Sequence, residues 1–186
     1  YNIKRFEKPC RVTLYPTKEE FLKESAVDAW SPACATWEVK FSTLIRHEIK
    51  TYENCPQLLS SVLRHELTHL LLAARLNYRR GIPMWANEGL AIYSEPAFKH
   101  SYYMRELILA AKQRRLIPIK EVISASTYPS ADKVDLFYGE SLSLVEYLIQ
   151  RSSFRRFLSF VEKLCESSDW KLWKRYFRIR SPTHLE

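Results

Sequence analysis

Glycine is almost absent from this chain: 3 of 186 residues, Gly81, Gly89 and Gly139. A turn-rich β fold draws on many positions of positive φ, so the scarcity argues against one and favours helices. Long apolar runs are missing too. None approaches the roughly 18 residues that a membrane-spanning helix takes, so the sequence holds no such span. The four cysteines, Cys10, Cys34, Cys55 and Cys165, contain no C-x-x-C pair, which argues against a second, structural zinc site. They allow disulfides or serve as small core residues. No signal peptide is present. The expectation is an extracytoplasmic protein, secreted, periplasmic or membrane-anchored, whose targeting segment lies outside these residues.

Acid is the minority sign, 21 residues against 29 Lys and Arg, for a net charge of +8. The basic excess collects late, at Lys99, Arg105, Lys112, Arg114 and Arg115 and again between Arg151 and Arg180. Such a bias suits anionic lipid headgroups, cell-wall polymers or nucleic acid, but solvated helix faces are the plainer account of it. No nucleic-acid motif accompanies it. No specific nucleic acid is therefore expected as a partner, only a weak attraction to anionic surfaces. The oligomeric state is not legible.

What is present centres on residues 56–93. Arg64-His65-Glu66-Leu67-Thr68-His69 contains H-E-x-x-H. Residues four apart share a helical face, so His65 and His69 can offer two imidazole nitrogens to one metal ion. Glu66 is rotated by about 100°, which lets it flank the metal as base to a bound water. Catalytic zinc takes a third protein ligand and keeps one position open. Glu88, separated from His69 by eighteen residues and lying in Pro83-Met84-Trp85-Ala86-Asn87-Glu88-Gly89, is the candidate. Pro56 suits the first turn of the histidine helix. Gln57, Ser61, Arg64, Thr68 and Arg75 make its narrow solvent stripe, and the rest is mostly buried. Imidazoles among leucines need partners, because unpaired burial costs several kcal/mol. Gly89 is expected to let the second helix approach the first closely.

H-E-x-x-H, eighteen residues, then Glu inside Trp-x-Asn-Glu-Gly-x-Ala resembles the gluzincin zinc metallopeptidases. The local wording is similar to the zinc aminopeptidases, and the chain length to the small bacterial peptidase MA-like domains. The resemblance implies that His65, His69 and Glu88 ligate Zn2+ and that Glu66 is the general base. It also implies an α+β, thermolysin-like core. Tyr138-Gly139-Glu140-Ser141-Leu142 resembles the small bacterial domains as well, which implies that Tyr138 donates a hydrogen bond to the oxyanion. By periodicity Tyr138 belongs equally to a buried stripe with Leu142, Val145 and Ile149; Tyr93, Tyr102 and His100 are the next candidates. The large N-terminal β-domain and the Gly-x-Met-Glu-Asn segment of the aminopeptidases are absent. Exopeptidase activity therefore does not carry over.

Along the chain, residues 11–15, 34–40 and 42–50 read as strands. Thr17 with Glu20 makes a capping box that opens a short helix. In the third strand Phe41, Thr43, Ile45, His47 and Ile49 face one way, and its mixed other face suits a sheet edge that would receive substrate as an added strand. His47 reads as a surface or core residue rather than a ligand. Helices follow over 100–115, 132–150 and 154–165, with one turn at 119–123 and a last aromatic segment carrying Trp170, Trp173, Tyr176 and Phe177. The expectation is one domain over 1–186: a small, mostly antiparallel sheet in 1–52, then helices in 56–186, with the site at their junction. Function is expected to be that of a zinc-dependent endopeptidase, with a peptide or protein substrate. The alternative is a catalytically weak or inactive zinc-containing scaffold at the cell surface; a nucleic-acid-associated protease is suggested by charge alone.

Overall fold

The computed structural model describes residues 6, 8–41, 43–78, 81–167, 169–181 and 185. Ser42, within the predicted strand 42–50, lies outside them. The architecture is α+β, and the chain separates into two compact units, Tyr1–Tyr78 with Ser94–Pro96, and Arg79–Tyr93 with Ala97–Glu186.

The first unit holds β1 (Cys10–Tyr15), α1 (Lys18–Ser25), β2 (Ala33–Lys40), β3 (Thr43–Tyr52), a π-helical turn at Leu58–Val62 and α2 (Leu63–Arg75). Thr17 caps α1 as its sequence signature indicates, accepting from the Glu20 N–H at 3.2 Å. Phe21 projects from α1 into full burial between Tyr15 and Tyr52, worth about 2–3 kcal/mol of apolar transfer.

The sheet departs from expectation in two ways. Its order is β1-β3-β2, with β1 parallel to β3 and β2 antiparallel to it. It is mixed rather than mostly antiparallel, and β3 is its central strand, not an edge. Only the far end of the mixed face of β3 meets α1, where the Lys50 ammonium donates to the Glu24 carbonyl, and Arg46 on the same face stays exposed. The alternation of β3 also breaks. A register shift between Glu38 and Val39 sets Leu44 opposite Val39, so Leu44 is buried with His47, Ile49 and Thr51 while Ile45 turns outward. A bulge of this kind moves a side chain to the opposite face. His47 is a packing residue. It is buried, with Nε2 2.8 Å from the Tyr78 hydroxyl and Phe6 edge-on to its ring.

The second unit holds α3 (Met84–Tyr93), α4 (Ala97–Lys112), α5 (Ile119–Ser124), a 3₁₀ turn at Ala131–Lys133, α6 (Val134–Arg151), α7 (Phe154–Leu164) and α8 (Lys171–Phe177). Its core is aromatic: fully buried Trp85 of α3 packs on Phe157 and Trp173, and Phe160 sits edge-on to Trp173 and Phe177. Part of the late basic charge fastens these helices. Arg151 donates to the Phe177 carbonyl, and Arg156 donates to the Tyr176 and Arg175 carbonyls, satisfying the end of α8. All four cysteines are free thiols, so no disulfide contributes.

Candidate active site

In the first unit, α2 carries His65 and His69 with ring centroids 4.8 Å apart, as an i, i+4 pair requires. The His65 Nδ1–H donates to Glu95 Oε1 at 2.8 Å. A carboxylate only accepts, so this bond puts the proton on Nδ1 and the lone pair on Nε2. The Ser61 hydroxyl donates to the other oxygen of Glu95. Seven residues on from Ser61, Thr68 Oγ1 lies 2.8 Å from Ser94 Oγ, and Ser94 donates to the Arg64 carbonyl at 3.2 Å.

This corrects the reading of α2. Ser61 and Thr68, assigned to the solvent stripe, are 1 % and 3 % exposed. The chain returns at Ser94–Glu95 and covers these two positions, whose hydroxyls become its hydrogen-bond partners, while Gln57 and Arg64 stay exposed. Glu95 escaped sequence reading because it falls in the Ser94-Glu95-Pro96 break, where an acid looks like loop surface. A buried Ser at 61, one helical turn before His65, is the one signal that pointed there.

Glu66 is 5 % exposed. It lies within electrostatic reach of Cys34 on β2, whose thiol pKa is raised first by burial and then by the Glu66 charge.

In the second unit, Glu88 sits midway along α3 at 3 % exposure, and Tyr128 donates its phenol to Glu88 Oε1 at 2.8 Å. Tyr128 was read as part of a Ser- and Pro-rich loop; a lone aromatic there, followed by a Pro that restricts its backbone, is the trace it left. Tyr138 of α6 is buried in the same neighbourhood, edge-on to Tyr103 and Tyr128. Burial above all, then the Glu88 charge and the neighbouring tyrosines, hold its pKa well above 10.0. Its hydroxyl is a proton donor at every working pH. The weaker candidates have other duties. His100 is hydrogen-bonded to the Ile92 carbonyl at 2.8 Å, Tyr93 stacks between His100 and Phe154, and Tyr102 donates to Asp135 at 2.5 Å.

Gly89 also does other work than expected. A Cβ there would overlap the Ser141 carbonyl oxygen and stand 2.6 Å from Val145 Cγ2. The close approach it permits is between α3 and α6, because its Cα faces that helix.

His65, His69 and Glu88 are the residues whose donors could hold a metal ion among those described. Two imidazoles and a carboxylate are a zinc-type donor set. The outer bonds fit as well, His65 being oriented by Glu95 and Glu88 by Tyr128. A family model described as the peptidase MA superfamily matches residues 37–171, and the chain belongs to that superfamily. Its members are peptidases, typically metal-dependent. No curated protein and no solved structure matches the chain.

Proposed function

We propose that this chain is a zinc-dependent endopeptidase with His65, His69 and Glu88 as metal ligands and Glu66 as general base. The observation that carries it is the His65–Glu95 bond, which fixes the tautomer that a ligand histidine needs and has no use in an ordinary surface helix. Bound there, zinc would supply Lewis acidity for the scissile carbonyl and for a water. Glu66 takes a proton from the attacking water and returns it to the leaving amine nitrogen. Its burial keeps that carboxylate away from bulk water, where its effect would be screened. Tyr138 donates its phenolic proton to the oxyanion, and Tyr128 holds Glu88 in orientation.

The substrate strand adds to β2. β3 is closed on both sides, whereas β2 is an edge, exposed from Trp37 to Lys40, and α2, the helix that carries Glu66, packs against it. Main-chain pairing there holds an extended peptide with little regard for its side chains.

Metal content and digestion of a peptide library test this together. The wild type should carry stoichiometric zinc and release internal fragments. The His65→Ala/His69→Ala variant should lose the metal. Glu66→Gln should keep metal and fold but lose nearly all hydrolysis, and Tyr138→Phe should lower kcat by about 10²-fold. Zinc retained by the double histidine variant, or full turnover by Glu66→Gln, refutes the assignment. Zinc without any hydrolysis by the wild type means a scaffold rather than an enzyme.

A further inference from the structure

α4 is apolar on both faces. Inward it packs Tyr103 and Ala110, both buried, and brings Leu107 Cβ and the Tyr103 carbonyl close to Gly139 of α6. Outward, at about 100° per residue, Phe98, Tyr102, Arg105, Ile108, Leu109 and Lys112 fall within an arc of about 120°. All six are exposed. The apolar ones among them, with Leu116 just beyond the helix, are between 38 % and 51 % exposed. A helix apolar all round is ordinarily buried all round. This one presents a ridge about 16 Å long from Phe98 to Leu109.

Cations thread the ridge. Arg105, Lys112, Arg114 and Arg115 are all exposed. The acids nearby are engaged: Glu106 pairs with Arg105, and Asp135 accepts the Tyr102 hydroxyl. Past Lys112 the ridge reaches a shallow cleft lined by Arg115, Leu116, Pro129, Ser130 and Lys133, with one acid, Glu121. Two cations against one carboxylate suit a phosphate ester.

We propose that this outward face of α4, through Leu116, docks on an anionic lipid bilayer. Aromatic and branched aliphatic side chains between Lys and Arg are the composition of a helix lying in the membrane interface, with apolar groups entering the acyl boundary and cations reaching phosphates. A second copy of the chain fits worse, because a two-fold axis would set the same cations against one another. A ridge also offers no groove for a partner helix.

Co-sedimentation of the whole chain with vesicles of phosphatidylcholine, with or without phosphatidylglycerol, decides it. The wild type should pellet with mixed vesicles and stay largely in solution with phosphatidylcholine alone. Lys112→Gln/Arg114→Gln/Arg115→Gln should lower partitioning by about 10²-fold. Ile108→Ser/Leu109→Ser should lower it about tenfold or more, since the apolar area drives insertion. These side chains are exposed, so circular dichroism and thermal midpoints should match the wild type. Lys174→Gln/Arg175→Gln/Arg178→Gln removes equal charge from α8 and should change partitioning little. The proposal is overturned if the wild type ignores mixed vesicles, or if either α4 variant partitions like the wild type. It is equally overturned if the α8 variant loses as much, or if sedimentation velocity shows a dimer that Ile108→Ser/Leu109→Ser dissociates.

Discussion

Gly89→Ala is the sharpest test of how α3 is seated. The added Cβ would overlap the Ser141 carbonyl oxygen, with Val145 Cγ2 at 2.6 Å and the Ser141 carbonyl carbon at 2.8 Å. Relaxed carbon contacts lie near 3.5–4.0 Å, so α3 and α6 must part by about 1 Å. The obstacle is helix backbone in the interior of α6, which cannot swing aside as a side-chain tip can. Overpacking of this kind costs about 1–3 kcal/mol, and a backbone clash belongs at the upper end. Alanine returns about 1 kcal/mol of helix propensity over glycine. The net loss is about 2 kcal/mol, or about 4–8 °C in midpoint for a chain of this size. Gly139→Ala is the control: its Cβ meets the Tyr103 carbonyl oxygen at 3.0 Å and Leu107 Cβ at 3.5 Å, which a shift of a few tenths of an ångström relieves. Its midpoint should change by less than about 4 °C, because propensity offsets the strain. Thermal unfolding followed by circular dichroism compares the two. Equal midpoints for Gly89→Ala and wild type would refute the close approach of α3 to α6.

Glu95→Gln should weaken zinc binding about 10–100-fold with the fold intact, read by competition with a chromophoric chelator; unchanged affinity would mean that Glu95 does not position His65. Glu140, buried on α6 and accepting the Ile117 N–H at 2.8 Å, has its pKa pushed up from 4.5 to about 7, by burial against that bond. Between those values the folded state binds more protons than the unfolded one, so its contribution to stability is fully present below pH about 4.5 and is lost as pH rises through about 7. Glu140→Gln should abolish this term, so the variant's midpoint gains on the wild type from pH 5 to 8 by several degrees; parallel curves would refute it.

In the second unit α3 was placed by its motif and α8 was read only as an aromatic segment. Periodicity found α4, α6 and α7 to within about three residues, because 3.6-residue spacing survives wherever one side of a helix is packed and the other is wet. It also found the three strands, and the motif residues were legible because their spacing is set by local geometry alone. What escaped was set by the chain meeting itself far away. Alternation assigned β3 to an edge, yet strand order depends on which strand returns beside it, and β1 pairs with it in parallel. A wet-looking stripe on α2 was read as solvent, yet solvent and a hydrogen-bonding segment are alike to a pattern of polar side chains. Ser61 and Thr68 meet Glu95 and Ser94, 34 and 26 residues away, and only that return shows whether a hydroxyl faces water or a carboxylate. Gly89 is the same lesson in reverse: the absent Cβ announces a close neighbour without saying which, and the neighbour is Ser141 of α6. Candidate site residues can thus be read from spacing along the chain, whereas the groups that orient them have to be read from segments that meet in the fold.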